Sequence, residues 1–345
     1  MRARRADSLV RRVVVVIRIA ESLSQSTMAI APVALRQPPA IFKVRELPAL
    51  LVLVTALVWL FASKPAFRTP ENLKQVAQEA GLLGILACGE ALVILTGGID
   101  LSVGAVAALA AVTAGPRMLH GTAWPLAMGL GLCAGAAAGW VNAALITWRK
   151  LSPILTTLAT LFLFRALANI MTGGVPFTPL PDAFGALGQG FAPFIGLVVV
   201  AVVLAAVLSR TRFGRRLVAV GGSEQAVRLS GVSTDAILRR VYVLCGLLAG
   251  LVGLLLAAGT RSAMWSIADG YELEAIAAVV IGGVRLTGGE GSVLGAAIGA
   301  MIIVVMRNAL FLGGVPYEQY GLITGSVILL AAFAEQYRRA REAKA

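Results

Sequence analysis

The sequence has little charge, one histidine, few cysteines and no nucleotide-binding loop, and each shortage removes a class of function. Only 14% of its 345 residues are charged, against roughly 25% in soluble domains, which excludes an ordinary soluble protein. No G-x-x-x-x-G-K-[ST] occurs, so the chain has no phosphate cradle for ATP. Arg228-Leu229-Ser230-Gly231-Val232-Ser233 superficially resembles an ATPase signature, but it lacks the second glycine and the glutamine and is set aside. No His/Cys/Asp/Glu cluster has metal-ligand spacing, and His120, beside Gly121, reads as a solvated loop side chain. Cys88, Cys133 and Cys245 each lie inside an apolar run, where small buried hydrophobes are expected and no disulfide framework is. No catalytic constellation, metal site or bound cofactor is therefore expected.

What is present is apolar length. Hydrophobic residues make up 58% of the chain, and runs such as 47–62, 191–208 and 241–258 approach the roughly 20 residues that cross a bilayer core. Membrane segments are expected near 47–63, 76–97, 101–117, 124–147, 153–172, 191–208, 240–259, 273–284, 292–312 and 318–334. That makes an all-α, polytopic protein of about ten passes. The segment 273–284 is too short for a straight span, and the break at 97–104 barely separates its neighbours. The 38 glycines read as helix packing, because small residues let backbones approach where lipid supplies no hydrophobic force between helices.

A net charge of +13 suggests nucleic-acid binding only until the charges are placed. Residues 1–45 carry Arg2, Arg4, Arg5, Arg11, Arg12, Arg18, Arg36, Lys43 and Arg45 against Asp7 and Glu21, and 209–240 carries seven arginines against Glu224 and Asp235. Basic residues gathered between apolar runs mark loops held in the cytoplasm. Arg149, Lys150, 209–240 and the tail with Arg338, Arg339, Arg341 and Lys344 then fall inside, 173–190 with Asp182 falls outside, and both termini are cytoplasmic. The partner is a lipid bilayer and not a nucleic acid. The stretch 9–20 is interrupted by arginines and followed by no small-residue cleavage site, so no cleaved signal is expected, and Met28 offers a second start.

Two Gly-rich breaks resemble each other. Gly97-Gly98-Ile99-Asp100-Leu101-Ser102-Val103-Gly104 and Gly282-Gly283-Val284-Arg285, followed by Gly291-Ser292-Val293-Leu294-Gly295, each place a double glycine and a charge at the end of an apolar run. Matching interruptions in two halves of a chain point to discontinuous helices around a transport site, or else to two ordinary turns. Within the apolar runs, Glu90, Asp100, Arg165 and Arg307 each cost roughly 2.5–3.5 kcal/mol at a helix centre, so each should face protein, water or a bilayer edge. Glu90 is either a hydrogen-bonding group in a solute path or a buried contact between helices. The same choice holds for Asp100, Ser102, Asn142, Asn169 and Asn308, which with Gly97, Gly98, Gly282 and Gly283 are the candidate path residues.

The basic 209–240 loop holds the most information. Gly221 and Gly222 permit a sharp turn, Ser223 can cap a short helix with Glu224 in its first turn, and Ala226, Arg228 and Ser230 continue it to a stop at Gly231. A short amphipathic helix in a cytoplasmic loop suits the grip of a soluble motor. A solvated loop that only sets topology is the plainer reading.

With these residues in view, the chain resembles the ribose/xylose-type permeases of bacterial ABC importers, related to the branched-chain amino acid permeases. The blocks that carry the likeness are TGGIDLSVG at 96–104, PILTTLATLFLFRALANIMTGG at 153–174, TRFGRRLVAVGGSEQAVRLSGV at 211–232 and GYELEAIAAVVIGGVRLTGGEGSVLGAAIGA at 270–300. The resemblance implies a type II-like permease fold in two related halves, in the bacterial inner membrane. It implies a second permease copy or paralogue, a cytoplasmic ATPase that holds ATP and Mg and binds 209–240, and a periplasmic binding protein that delivers a small sugar. The permease domain would occupy 46–335, between cytoplasmic tails at 1–45 and 336–345. Arg285 and Glu274 depart from the family's usual small polar residue and Asp. An ion-coupled secondary transporter would instead use the intramembrane acids itself, and a scaffold or receptor would have little use for glycine breaks at membrane depth.

Overall fold

The computed structural model describes residues 46–323 with 325, 326, 329 and 333; the expected tails 1–45 and 336–345 and part of the expected segment 318–334 lie outside the described residues. Eleven helices carry the argument: α1 Leu47–Ser63, α2 Pro70–Leu95, α3 Val103–Leu119, α4 Trp124–Trp148, α5 Pro153–Thr172, α6 Ala192–Arg210, α7 Arg212–Gly222, α8 Glu224–Leu229, α9 Thr234–Thr260, α10 Tyr271–Ile281 and α11 Val293–Leu312. Six of them, α2, α4, α5, α6, α9 and α11, are long and apolar enough to cross a membrane, and α1 and α3 are shorter apolar helices of 17 residues each. The 11 residues of α10 reach only about 16 Å at 1.5 Å per residue.

Helix starts follow local capping chemistry more closely than hydropathy. Thr69 accepts from Asn72 N at 3.4 Å ahead of Pro70 and starts α2 before the apolar run begins, so the expected 76–97 becomes Pro70–Leu95. Ser233 caps α9 through Ala236 N at 3.4 Å, which moves the expected 240–259 back to Thr234. Ser292 accepts from Gly295 N at 2.9 Å and opens α11, and the Ser292 hydroxyl also donates to Glu46, the residue just before α1.

The core forms around α2, which is buried along nearly its whole apolar length and packs on α6, α9, α10 and α11. A second contact joins α4 to α9 through small residues. A Cβ on Gly135 would lie 2.5 Å from Gly246 O and 3.0 Å from Gly250 Cα, and one on Gly246 would lie 2.9 Å from Gly139 Cα. Only glycine lets these backbones meet, in keeping with the packing expected from composition. By contrast α5 and α6 turn most of their apolar surface outward, with Leu155, Phe162, Ile170, Ile195 and Val202 exposed. Cys88 and Cys245 are buried as expected, whereas Cys133 is exposed on α4, because its position faces away from the α9 contact.

Candidate functional site

Four of the candidate path residues meet in one buried polar core. Thr96 to Ser102 fold back between α2 and α3, and this turn places the Asp100 amide 3.0 Å from Glu90 Oε1, which accepts its hydrogen bond. Asp100 Oδ1 accepts from Ser102 N at 2.9 Å and from the Ser102 hydroxyl at 2.6 Å, fixing the first turn of α3. Asn142 on α4 donates to Ser102 Oγ at 2.8 Å and accepts from Thr160 of α5 at 2.7 Å. Glu90, Asp100, Ser102 and Asn142 are each at most 1% exposed. They therefore fasten α2, α3, α4 and α5 together, and Glu90 is held by the turn between α2 and α3. Glu90 Oε2 and the Tyr242 hydroxyl make no hydrogen bond among the described residues.

The remaining candidates lie apart from that core. Asn308 of α11 is 7% exposed and exchanges hydrogen bonds with Asn72 of α2 at 2.7 and 3.2 Å. Asn169 is exposed near the end of α5, where its carbonyl accepts from Gly174 N. Gly282 packs on the backbone of Gly295, and Gly283 adopts φ +82°.

The two glycine breaks come together with the Arg-rich segment. Gly289 N donates to Leu95 O at 3.0 Å, and a Cβ on Gly288 would lie 2.7 Å from Gly97 N and 3.0 Å from Gly221 Cα. Gly221 itself touches Leu95 O and Gly289 N so closely that no side chain fits. Its glycine is thus required by close approach and not by a turn, a correction to the expected role, since Gly221 and Gly222 end α7 as helical residues. The expected 209–240 loop is in fact two helices. Sequence reasoning missed α7, although Phe213, Leu217 and Val220 at helical spacing bury its inner face and Thr211 caps it. The short helix stands where its capping residues predict it: Ser223 accepts from Ala226 N at 3.2 Å, Ala226 and Ser230 lie in and just after α8, and Gly231 follows at φ +80°.

Ion pairs bind α8 to its surroundings. Glu224 Oε1 accepts from Arg228 at 2.6 Å and from the Thr234 hydroxyl at 3.0 Å, Arg228 lies 3.5 Å from Asp235, and Asp235 takes Lys150 from the α4–α5 turn at 2.8 Å. Lys150, Glu224 and Asp235 border a cavity of about 310 Å³ together with Thr96, Gly97, Gly98 and Tyr242. A shift of α8 would thus be felt at the Gly97 break and at the α4–α5 turn.

The charges within apolar runs are compensated. Arg307 of α11 donates to Glu274 of α10 at 2.7 Å. Arg165 of α5 donates to the carbonyls of Trp265 and Ile267 at 2.9 Å each. Those carbonyls belong to an irregular stretch, 261–270, between α9 and α10, anchored by paired hydrogen bonds between Phe177 and Ala263 and by an ion pair from Arg261 to Asp182.

The comparisons with known proteins agree with this architecture. Residues 72–332 match the model of a family described as branched-chain amino acid transport system / permease component. The ribose import permease protein of Bacillus subtilis (strain 168) is 38% identical over 283 residues, 80% of this chain and 88% of the relative. The protein of the same name from Escherichia coli (strain K12) is 38% identical over 304 residues, 86% and 94% of the two chains. The autoinducer 2 import system permease protein of Photorhabdus luminescens is 34% identical over 290 residues, 83% and 88%. No solved structure matches the chain. A multi-pass helical chain, matched along most of its length by import permeases, belongs to the branched-chain amino acid transport system / permease component family.

Proposed function

We propose that the chain is the membrane permease of an ATP-driven importer for a small sugar or sugar-like solute, seated in a bacterial inner membrane with both termini cytoplasmic. It crosses the membrane about ten times in two related halves, pairs with a second permease, receives solute from a periplasmic binding protein and is moved by a cytoplasmic ATPase that holds ATP and Mg. One observation supports the motor's point of attachment: the α7–α8 unit rests on both glycine breaks at once, through Leu95, Gly221 and Gly289. Force applied at α8 would pass through α7 to the end of α2 at Leu95 and to the 282–292 connection between α10 and α11 at Gly289. The ribose and autoinducer 2 import permeases among the relatives favour a sugar-like solute over an amino acid.

Co-purification tests the reading. The chain, extracted in mild detergent from cells expressing its neighbouring transport genes, is expected to bring down an ABC ATPase in stoichiometric amount. Recovery of the folded chain with no ATPase would count against it.

A further inference from the structure

An exposed acid alongside two apolar helices singles out one face of the chain. Asp269 has 73% of its side chain exposed, yet it lies alongside α5 and α11 about two thirds of the way along their lengths. Arg165, its partner at 3.4 Å, is twelve residues past the start of α5, about 18 Å along the helix axis. Helix α10 runs antiparallel to α11, with Gly282 against Gly295, Ala278 against Gly299 and Glu274 against Arg307. Asp269, just beyond the upper end of α10, therefore lies about level with Arg307, some 21 Å along the roughly 30 Å of α11. A carboxylate at that depth does not face hydrocarbon, and irregular backbone such as 261–270 is tolerated there only where it is buried or lines water.

A second observation lies behind Asp269. Glu272, in the first turn of α10, is 8% exposed, and its Oε2 makes no hydrogen bond among the described residues. That oxygen lies against Gly104, where α3 begins, and a Cβ on Gly104 would also come within 3.4 Å of Arg165 Nη2, which likewise makes no hydrogen bond. Two carboxyl groups beside one guanidinium do not attract an anion. They do match a neutral polyol, whose hydroxyls donate to carboxyl oxygens and accept from guanidinium N–H groups.

Building on the importer reading, we propose that Asp269, Arg165 and Glu272 form a hydroxyl-binding subsite on the water-filled solute path, and that this face, not the Glu90–Asp100 core, lines that path. The Glu90 cluster then holds helices while the α5–α10 face handles solute. A weak subsite suits the task, since a path must release what it accepts.

Asp269→Cys and Phe162→Cys, each with Cys133→Ser, are treated in the assembled complex with a small membrane-impermeant methanethiosulfonate. The thiol at 269 is expected to react readily and the one at 162, on the outward apolar face of α5, to remain unmodified; equal inertness at 269 would overturn the proposal. Uptake of D-ribose through Asp269→Asn, a near-isosteric change, is expected to show KM raised about tenfold with the ATPase still bound. An unchanged KM beside an active wild type overturns the subsite alone. A wild type that binds no ATPase overturns the importer reading instead, and thiol reactivity still decides whether Asp269 faces water.

Discussion

Glu224→Lys is expected to abolish ATP-driven uptake while the chain inserts at normal abundance. Glu224 joins α8 to the start of α9 through Arg228 and Thr234, and Asp235 extends the connection to Lys150. A lysine there sets an ammonium beside Arg228 and removes the acceptor of both hydrogen bonds. These side chains are about half exposed, and such pairs contribute roughly 0–1 kcal/mol each to folding, so the fold survives while the lever loosens. Gly231→Pro acts on the same lever from its other end, because φ +80° is closed to proline, whose ring holds φ near −65°. Both variants should lower uptake by at least tenfold, about 1.4 kcal/mol of lost coupling, and weaken ATPase association, with membrane abundance by immunoblot unchanged. Wild-type uptake by both would show that the motor grips elsewhere.

Gly135→Val is expected to fail differently, by loss of the folded chain. Its first side-chain carbon would meet Gly246 O at 2.5 Å and Gly250 Cα at 3.0 Å, backbone that cannot rotate out of the way. Overpacking of a close-packed interior costs about 1–3 kcal/mol where side chains yield, and a clash with backbone exceeds that range. Size-exclusion chromatography in detergent should show aggregate in place of a sharp peak. Gly129→Val on the same helix, with open space around it, should leave the peak intact, and equal behaviour of the two would remove the close α4–α9 contact from the account.

How much of this was legible in the sequence depends on the range of the interaction. Long apolar helices were legible because each signal is local, and Ser223 and Gly231 announced α8 by capping chemistry that spans a few residues. Helix α7 was hidden by its arginines: Phe213, Leu217 and Val220 carry its helical spacing, but net polarity made the segment read as loop. The meeting of Leu95, Gly221 and Gly289 was beyond local reading, since the echo between the breaks marked both without saying that they touch. Likewise Glu90 and Asp100 stand out as costly groups and Asn142 as a candidate path residue, yet the hydrogen bonds that link them through Ser102 depend on the turn at 96–102. Asp269 carries no local signal. It sits in a polar-looking connection, and only the antiparallel packing of α10 on α11 reveals its depth.

Reconstitution tests the central claim most directly. In proteoliposomes holding the purified chain, its ATPase and sugar-loaded binding protein, uptake should appear only with ATP inside the compartment that contains the ATPase, and the purified chain alone should move no solute against a gradient. Concentrative uptake by the chain alone, driven by a proton or sodium gradient, would contradict the account and establish a secondary transporter.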